Sequence, residues 1–300
     1  MPHVAIILVN WNGKNDTIAC LASIFSLLTS HFSLLTIVVD NGSDDNSVEV
    51  IRKKFPRVEV IEAGGNMGFT GGNNLGIKRA LETGAQFVWL INNDTVVDKN
   101  ALTSLVDAFD DGRVGIAGSK IYFRTGHEYH KDRYIKKDLG RVLWYAGGVI
   151  DLQNMYAAHR GVDEVDRGQY DEIEETQFVT GCSMMIRRNV FDRIGLLDGR
   201  FFAYLEDVDF CLRAGRAGFI LRYVPWSVVW HNNAGSSGGV GSRIHEYYIT
   251  RNRLIVGMRY ASIRTKAALL REAMRMLVSG PAVRRKAVLD AIYQGRPMKI

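Results

Sequence analysis

The first 120 residues of the chain alternate between two hydrophobic patterns. Continuous apolar runs have the length of strands buried on both faces, and between them apolar residues recur at helical spacing. Strands that alternate with helices predict an α/β fold with a mostly parallel twisted sheet flanked by helices. The predicted strands are Val4–Val9, Leu34–Val39, Val58–Ile61, Phe87–Ile91 and Val114–Gly118. Helices are predicted at Thr17–Leu28, at 46–54 with Ser43 or Asp44 as cap, after the glycine-rich loop Gly64–Gly72 to about Thr83, and before the fifth strand.

The rest of the chain is less regular. Residues 124–176 are polar and predict a long insertion of solvated loops, with a small hairpin around Trp144–Asp151. Buried strands are predicted at Gln177–Arg187 and at Leu221–Trp230, which leads into His231. From about Ser242 the pattern is helical, so the chain is expected to end in a C-terminal helical extension.

Polar residues follow the first four predicted strands. Each cluster alone is typical of a turn. Because ligands of such sheets bind at the carboxyl ends of the strands, the four together predict one ligand crevice. The glycine-rich loop also resembles a phosphate cradle at a helix N-terminus, although it has neither a Walker lysine nor the dinucleotide-binding glycine pattern. The clusters are Asn10-Trp11-Asn12-Gly13, Asp40-Asn41-Gly42-Ser43, Asn66-Met67-Gly68 and Asn92-Asn93-Asp94.

Acidic residues and one histidine are the candidates for chemistry. Asp94, just past a buried strand, is a candidate ligand for Mg²⁺ or Mn²⁺ alongside phosphate oxygens, with a helix cap as the alternative. The cluster 206–209, Glu-Asp-Val-Asp, follows the aromatic run 201–204, and partial desolvation there favours a competent base. The alternative is an ordinary acidic first turn of a helix. His231 precedes the glycine-rich stretch 232–239, which predicts a lid over a substrate.

Composition is that of a soluble globular protein. Hydrophobic residues make up 47% and charged residues 23%, which argues against disorder. Three scattered cysteines predict no disulfide framework or zinc site and favour a reducing compartment. No signal peptide is expected. The stretch Ile18–Val39 lacks charged residues, but polar residues in its middle argue against a membrane-spanning helix.

Positive charge is concentrated at the C-terminal end. The formal net charge is +6, and residues 251–300 hold 12 Lys and Arg residues against two acids. Within 266–278, Arg271 and Arg275 lie on one helical side, and another side is formed by Leu269, Leu270, Ala273, Met274 and Leu277. Residues 264–300 therefore suit an anionic membrane surface, with packing on the catalytic domain or a second subunit as the open alternative. No nucleic-acid-binding motif accompanies the charge, so no nucleic-acid partner is expected.

Together the motifs resemble those of family 2 glycosyltransferases, which have the Rossmann-like GT-A fold. Within the family, the chain is most similar to the rhamnosyltransferase-like branch that acts on bacterial surface polysaccharides and lipid-linked sugars. The resemblance covers nearly the whole chain. The matching pieces are Val9-Asn10-Trp11-Asn12-Gly13, Val39-Asp40-Asn41-Gly42-Ser43-x-Asp45, Asn66-x-Gly68-Phe69-x-Gly71-Gly72-Asn73-x-x-Gly76, Asn92-Asn93-Asp94, Thr180-Gly181-Cys182, Phe202-x-Tyr204-x-Glu206-Asp207-x-Asp209-x-x-x-Arg213, His231 and Tyr247-Tyr248-x-x-Arg251-Asn252.

The resemblance implies a role for each matching residue. Asp94 and His231 would bind a divalent cation, Mg²⁺ or Mn²⁺. Asp207 would be the catalytic base, and Glu206 would help to place the acceptor. Asn92 replaces the first acid of the family's Asp-x-Asp signature, so weaker metal binding is expected. The implied donor-binding residues are Asn10 and Trp11 at the nucleotide, Asp40 at the base, Asn66 and Gly68 at the ribose and diphosphate, Asn92, Asn93, and Arg251 at a donor or acceptor phosphate.

These roles imply an inverting, metal-dependent hexosyltransferase. Asp207 would deprotonate an acceptor hydroxyl, which attacks the anomeric carbon opposite the departing nucleoside diphosphate. The expected partners are a nucleoside-diphosphate sugar and a saccharide or polyprenyl-linked acceptor of surface polysaccharide synthesis. The branch favours rhamnose as the sugar, and uridine diphosphate sugars stay open. The expected location is the cytoplasm, with peripheral attachment to the inner face of the cell membrane and a homodimer as further hypotheses.

The resemblance also divides the chain. Residues 1–240 would form the GT-A catalytic domain, with a nucleotide-binding half at about 1–120 and an acceptor half at about 121–240. Residues 241–300 would form the basic helical extension.

Two other functions remain open at this point. A nucleotide-sugar-binding protein without catalysis is compatible with Asn92, but Asp94, Asp207 and His231 argue against it. A nucleotidyltransferase would carry a glycine-rich basic signature after the first strand, where this chain has 10–13, Asn-Trp-Asn-Gly.

Overall fold

The protein folds as a mixed sheet flanked by helices, with three further helices at its C-terminal end. The computed structural model describes residues 1–27, 31–232 and 241–293. The strands are β1 His3–Asn10, β2 Ser33–Asp40, β3 Glu59–Glu62, β4 Phe87–Ile91, β5 Thr95–Val97, β6 Val114–Phe123, β7 Leu143–Tyr145, β8 Gly148–Asp151, β9 Tyr156–His159, β10 Glu174–Glu175, β11 Ser183–Arg187 and β12 Ile220–His231. The α-helices are α1 Lys14–Ile24, α2 Ser47–Lys54, α3 Gly68–Glu82, α4 Ala101–Asp107, α5 Arg188–Ile194, α6 Glu206–Arg216, α7 Arg243–Tyr260, α8 Ile263–Ser279 and α9 Ala282–Tyr293.

The main sheet has the order β10-β12-β6-β11-β4-β1-β2-β3. Most paired residues lie in parallel ladders, which join β4, β1, β2 and β3 on one side and β6 with β12 on the other. Between these two parallel groups, β11 runs antiparallel to both β4 and β6. The α/β fold class and the mostly parallel sheet are confirmed, and the antiparallel β11 makes the sheet mixed.

The apolar runs form the core of the sheet, as their pattern predicted. Residues Val4 to Leu8 of β1 are fully buried, and β4 has the predicted bounds. The strand predicted at Val114–Gly118 is longer and extends to Phe123, because its second half pairs with the end of β12. The short strand β5 was not predicted, because three residues are too few to show a hydrophobic periodicity.

The glycine-rich segment differs from its prediction as a loop. Helix α3 begins at Gly68, so Gly71 and Gly72 lie inside it. A Cβ at Gly72 would lie 2.8 Å from Cγ1 of Val9, and one at Gly76 would lie 2.5 Å from Cγ2 of Ile7. These glycines therefore let the helix approach β1 closely, which outweighs their weak helix propensity.

Two other element boundaries also need correction. Helix α2 starts at Ser47 after Asn46 with φ 60°, and neither Ser43 nor Asp44 caps it. Instead the Ser43 backbone N–H donates to the Asp40 carboxylate at 2.8 Å. The predicted strand Gln177–Arg187 begins only at Ser183, and Phe178 before it forms an isolated bridge with Gly148 instead.

The polar insertion is partly buried rather than a set of solvated loops. Strand β7 joins the main sheet next to β6, and the separate hairpin consists of β8 and β9. Lys120 of β6 is 2% exposed and its Nζ lies 2.9 Å from Oδ2 of Asp166. Asp171 also accepts from this ammonium group, so a buried ion cluster ties the insertion to the sheet.

The C-terminal extension consists of α7, α8 and α9, which pack on one another. Ser242 and Ser262 cap the first two of these helices, each accepting a backbone N–H with its hydroxyl. In the described ranges, no helix has the length and hydropathy needed to cross a membrane. Leu28 at the end of the predicted first helix, residues 233–239 of the predicted lid and the end of the extension from 294 lie outside the described residues.

Candidate active site

A cavity of about 420 Å³ opens where β1 and β4 end and α3 and α6 begin. All four polar clusters predicted at strand ends contribute to its wall. It also contains the acidic start of α6 and the end of β12. The predicted site residues that line it are Trp11, Asn66, Gly68, Asn92, Asn93, Asp94, Glu206, Asp207 and His231.

Asn10 and Asp40 form a buried hydrogen-bonded pair beside this cavity. The Asn10 side chain donates to Oδ2 of Asp40 at 2.7 Å and accepts from the Thr17 hydroxyl at 2.7 Å. Oδ1 of Asp40 accepts from the backbone N–H groups of Gly42 and Ser43. Asp40 also lines a neighbouring depression of about 780 Å³. Asn10 therefore holds Asp40 in place at the edge of a second, adjoining space.

The start of α3 is built around Gly68, which has φ +70°. A Cβ at this position would lie 2.4 Å from the Phe202 carbonyl oxygen, so glycine alone fits without displacement. The Gly68 N–H donates to the Asn66 side chain at 2.9 Å, and its carbonyl accepts from the Asn41 side chain at 2.9 Å. The first turn of α3 is thus fixed at the cavity wall, where the positive end of the helix dipole favours a negative ligand.

Asp94 and His231 meet although 136 residues separate them in the chain. The antiparallel pairing of β5 with β12 places His231 opposite Thr95, the neighbour of Asp94. Nε2 of His231 lies 3.1 Å from Oδ1 of Asp94. His231 is buried, and none of the described residues hydrogen-bonds to its Nδ1. The Trp144 ring packs edge-on against the imidazole at 4.7 Å between centroids.

This pair fits a divalent cation that takes most of its ligands from a substrate. Two adjacent ligands of an octahedral ion, each at about 2.1 Å, lie about 3 Å apart. The separation of Asp94 and His231 matches that spacing. Among the described residues no group of three or more His, Cys, Asp or Glu side chains is arranged to hold a metal. A cation at this pair would therefore depend on phosphate oxygens and water.

Glu206 and Asp207 open helix α6 and line the same cavity. Asp207 accepts from the Gly181 N–H at 3.0 Å and from the Val208 N–H at 2.8 Å. Burial raises the pKa of Asp207 above its ordinary value, and these N–H donors oppose the rise.

Glu206 has a different environment. Its Oε2 is buried without a hydrogen-bond partner among the described residues. Burial, and then the charge of Asp207, raise the pKa of Glu206 well above its usual range. Because the N–H donors serve Asp207, ionisation is favoured at Asp207 over Glu206.

Arg251 does not line the cavity. It is 2% exposed, and its Nη1 donates to the Arg200 carbonyl at 3.0 Å and to the Asn252 side chain at 2.7 Å. Asp209 is likewise occupied, by Arg213 at 2.9 Å, Arg259 and the Tyr260 hydroxyl. The structure thus separates these two motif residues from the cavity that the others share.

Several lining residues were not predicted from the sequence. They come mainly from the polar insertion and from α7, and no motif marks them. Burial lowers the pKa of His159 to about 4 and outweighs the opposing effect of its hydrogen bond with the Trp144 carbonyl, so this imidazole is neutral at pH 7. The aromatic residues near the predicted hairpin were the available signal. The residues missed are Tyr129, Trp144, Ala157, His159, Phe178, His245 and Ile249.

Known families match most of the chain. A family model described as "Glycosyl transferase family 2" matches residues 5–195, and one described as "Glycosyl transferase family group 2" matches residues 151–284.

Relatives in the curated proteins have related names. An N-acetylglucosaminyl-diphospho-decaprenol L-rhamnosyltransferase of Mycobacterium tuberculosis is 26% identical over 67% of this chain and 67% of its own. A low-salt glycan biosynthesis hexosyltransferase of Haloferax volcanii is 24% identical over 85% of this chain and 75% of its own. A dTDP-rhamnosyl transferase of Shigella flexneri is 22% identical over 73% of this chain and 69% of its own.

Solved structures share the fold. The crystal structure of GalNAc-T7 with UDP, GalNAc and Mn²⁺ has a TM-score of 0.67 at 16% identity, covering 98% of this chain and 55% of that one. A mannosyltransferase from Pyrobaculum calidifontis in complex with GDP-Man and Mn²⁺ has a TM-score of 0.59 at 14% identity. The match covers 98% of this chain and 74% of the mannosyltransferase chain. The GT-A fold expected from the motifs is thereby confirmed.

Proposed function

The chain belongs to glycosyl transferase family 2, and on that premise we propose that it transfers a sugar, with inversion, from a nucleoside-diphosphate donor to a hydroxyl of a saccharide or lipid-linked saccharide. The observation that carries the proposal is a shared cavity with Asp207 on one wall and the Asp94–His231 pair on another. Two of the named relatives are rhamnosyltransferases, which supports rhamnose as the sugar. Surface polysaccharide synthesis is the proposed setting.

The donor is proposed to lie across the ends of β1, β2 and β4. The base and ribose occupy the depression beside Asp40, whose carboxylate Asn10 orients. The diphosphate faces the start of α3 at Asn66 and Gly68, where the positive end of the helix dipole favours negative charge. Trp11, Asn92 and Asn93 complete the wall.

A divalent cation, Mg²⁺ or Mn²⁺, is proposed at Asp94 and His231. When bound there, the cation would offset the negative charge of the leaving diphosphate. The two solved structures of the same fold that were determined with Mn²⁺ support a cation of this kind. The side chain at position 92 is an amide, so Asp94 supplies the one carboxylate of the Asn-Asn-Asp cluster.

Asp207 is proposed as the catalytic base. Its carboxylate, held by the N–H groups of Gly181 and Val208, takes the proton of the acceptor hydroxyl as that oxygen attacks the anomeric carbon. The nucleoside diphosphate departs from the opposite face, so the configuration inverts. Glu206, protonated beside it, donates a hydrogen bond that places the acceptor.

The acceptor side is proposed to involve a membrane surface. Exposed apolar side chains lie on α8 and α9, including Met274 at 60% and Val278 at 83% exposure, among arginines and lysines. Such a face suits an anionic bilayer that carries a polyprenyl-linked acceptor, at the inner face of the cell membrane. A homodimer that buries the same face is the competing proposal.

A binding and transfer assay tests the function. Thymidine-, uridine- and guanosine-diphosphate sugars are titrated into the protein by calorimetry, each with and without Mn²⁺ or Mg²⁺. The proposal expects one base class to bind with metal dependence, and Asp207→Asn to bind that donor with unchanged affinity while losing transfer by roughly 10³-fold or more. Donor binding with no transfer by the wild type to any acceptor, or to water, would instead favour a nucleotide-sugar-binding protein.

A further inference from the structure

The loop that leads into Glu206 and Asp207 has an unusual backbone. Tyr204 has φ +70° and Leu205 has φ +66°, and neither is glycine. Leu205 is also the N-cap of α6, yet it has no side-chain oxygen to cap the helix. Two consecutive left-handed residues of this kind persist only where their surroundings impose the conformation. Any relaxation at these positions would redirect the two carboxylates that follow.

Asn252 of α7 contacts this strained segment directly. Its side-chain Nδ2 donates to the carbonyls of Ala203 at 2.8 Å and Tyr204 at 2.7 Å. Asn252 is fully buried, so both of its N–H groups are committed to these two carbonyls.

Arg251 fixes the orientation of that amide. Its Nη1 donates to Oδ1 of Asn252 at 2.7 Å, so only the NH₂ group of Asn252 can face the loop. The same guanidinium donates to the Arg200 carbonyl at 3.0 Å, at the start of the loop. Together, Arg251 and Asn252 hold both ends of the segment 200–204.

The loop is also tied to the donor side of the cavity. The Phe202 carbonyl accepts from the Thr70 N–H of α3 at 3.3 Å, and the Phe202 ring stacks on Tyr248 of α7 at 5.4 Å. The loop 200–205 thus lies between α3 and α7. Its geometry sets the distance between the start of α3 and the start of α6.

We propose that Asn252, oriented by Arg251, is a positioning residue that imposes the left-handed conformation of Tyr204 and Leu205 and thereby aims Asp207 at the acceptor hydroxyl. The inference rests on the proposed function for its reaction, and it assigns Arg251 a role through the loop rather than on a phosphate. Small displacements of a reacting group lower the reaction rate steeply. The hydrogen-bonded pair of Arg251 and Asn252, here called the clamp, therefore has a large effect on turnover although it lies outside the cavity.

Substitution of Asn252 tests the clamp. Asn252→Ala removes both hydrogen bonds, and Asn252→Asp keeps the volume while turning an oxygen toward the two carbonyls. Both variants are expected to lower kcat roughly 10- to 100-fold while the donor Kd, measured by calorimetry, changes less than about twofold. Arg253→Ala is the matched control, because Arg253 of α7 binds the carbonyls of Asn154 and Met155 instead. An equal loss of kcat in the control, or an Asn252 loss confined to KM, would overturn the proposal.

A double-mutant cycle asks whether the clamp opposes backbone strain. Glycine adopts the left-handed conformation without cost, so in a Leu205→Gly background the clamp is less needed. Asn252→Ala is expected to lower kcat by a smaller factor in that background than in the wild type. The same factor in both backgrounds would show that Asn252 does not act through Leu205.

Amide hydrogen exchange separates this inference from the proposed function. Residues 203–208 are expected to exchange faster in Asn252→Ala and Asn252→Asp than in the wild type and Arg253→Ala, whether or not a substrate is known. Unchanged exchange in this segment would refute the clamp. Faster exchange in a protein that transfers no sugar would sustain the clamp and refute the proposed function.

Discussion

Two adjacent carboxyl groups at the start of α6 show how the local environment determines which of two acids ionises more readily. Asp207 has two backbone N–H donors, whereas the buried Oε2 of Glu206 has no partner among the described residues. Burial raises the pKa of both groups, but the donors favour ionisation of Asp207. One residue is therefore suited to accept a proton and its neighbour to retain one.

The first prediction concerns the acid limb of the pH–rate profile. A base must be ionised to act, so kcat/KM should fall as pH drops through the raised pKa of Asp207. After burial, which raises this pKa, the Thr180 hydroxyl is one of the groups that lower it. Thr180→Val should therefore move the acid limb to higher pH, measured as kcat/KM between pH 4 and 9. An acid limb that shifts downward or not at all would remove Asp207 as the titrating group.

The second prediction concerns stability. Glu206 binds its proton more tightly in the folded than in the unfolded protein, because burial raises its pKa. The free energy of unfolding should therefore fall as pH rises from about 4.5, by up to about 1.4 kcal/mol per pH unit, until the folded pKa is passed. Glu206→Gln lacks this loss, so its Tm should equal that of the wild type near pH 4.5 and exceed it at pH 8.

Thermal unfolding at a series of pH values measures the difference. Glu82→Gln is the control for removal of a carboxylate at a largely exposed position. A Glu206→Gln protein with a constant Tm difference from the wild type would contradict the assignment of a proton to Glu206.

Among the elements, α3 depends on glycines for its position. Gly68 combines a left-handed φ with a Cβ direction that is blocked by Phe202, whereas Gly64 has the same φ with open space around it. Substitutions at Gly64 and Gly68 therefore distinguish the cost of backbone strain alone from the cost of strain combined with a steric clash.

The third prediction follows from that contrast. Gly64→Ala should cost about 1 kcal/mol of unfolding free energy, since only the backbone is strained. Gly68→Ala should cost about 2–4 kcal/mol and weaken donor binding, because the added methyl also displaces the 200–205 loop. Urea unfolding and donor calorimetry measure both effects. Equal costs at the two positions would show that the contact with Phe202 is not limiting.

The elements that were predicted correctly, and the site residues predicted at their ends, could be recognised from the sequence for one physical reason. Buried parallel strands read as continuous apolar runs, so β1, β2 and β4 could be placed, and the polar residues at their ends followed. Trp144 and His159 could not be placed, because they reach the cavity through tertiary contacts that no motif marks. Trp144 lies on β7, which pairs with β6, and its ring packs on His231, whereas His159 packs on Phe178. Arg251 was identified by its motif, but burial of its guanidinium is a tertiary property.

Over the whole molecule, charge and exposed apolar surface coincide at the C-terminal helices. Helices α7 and α9 pack closely, and Tyr247 of α7 donates to Asp290 of α9. Removing the extension after Tyr260 would therefore uncover the buried face of α7. Point substitutions on exposed positions are the better test of membrane binding.

The fourth prediction uses two such positions. Met274→Asp with Val278→Asp should lower co-sedimentation with vesicles that contain anionic phosphatidylglycerol by at least about tenfold, and raising the salt concentration should weaken wild-type binding. Val149→Asp, also at an exposed valine but on β8, is the control and should bind like the wild type. Unchanged sedimentation of the double variant would leave packing against protein as the role of this face.

The place of β11 in the sheet has a consequence for the growing polypeptide on the ribosome. Strands β1 to β4 can pair once residue 91 has emerged from the ribosome, but the outer edge of β4 stays unpaired until β11, at Ser183–Arg187, has followed. Until then a nascent chain presents the apolar edge Phe-Val-Trp-Leu-Ile with unpaired backbone groups. The antiparallel strand β11 thus covers the edge of β4 late in synthesis. Chains whose synthesis stops between residue 91 and β11 are therefore the most prone to aggregation and to binding by chaperones.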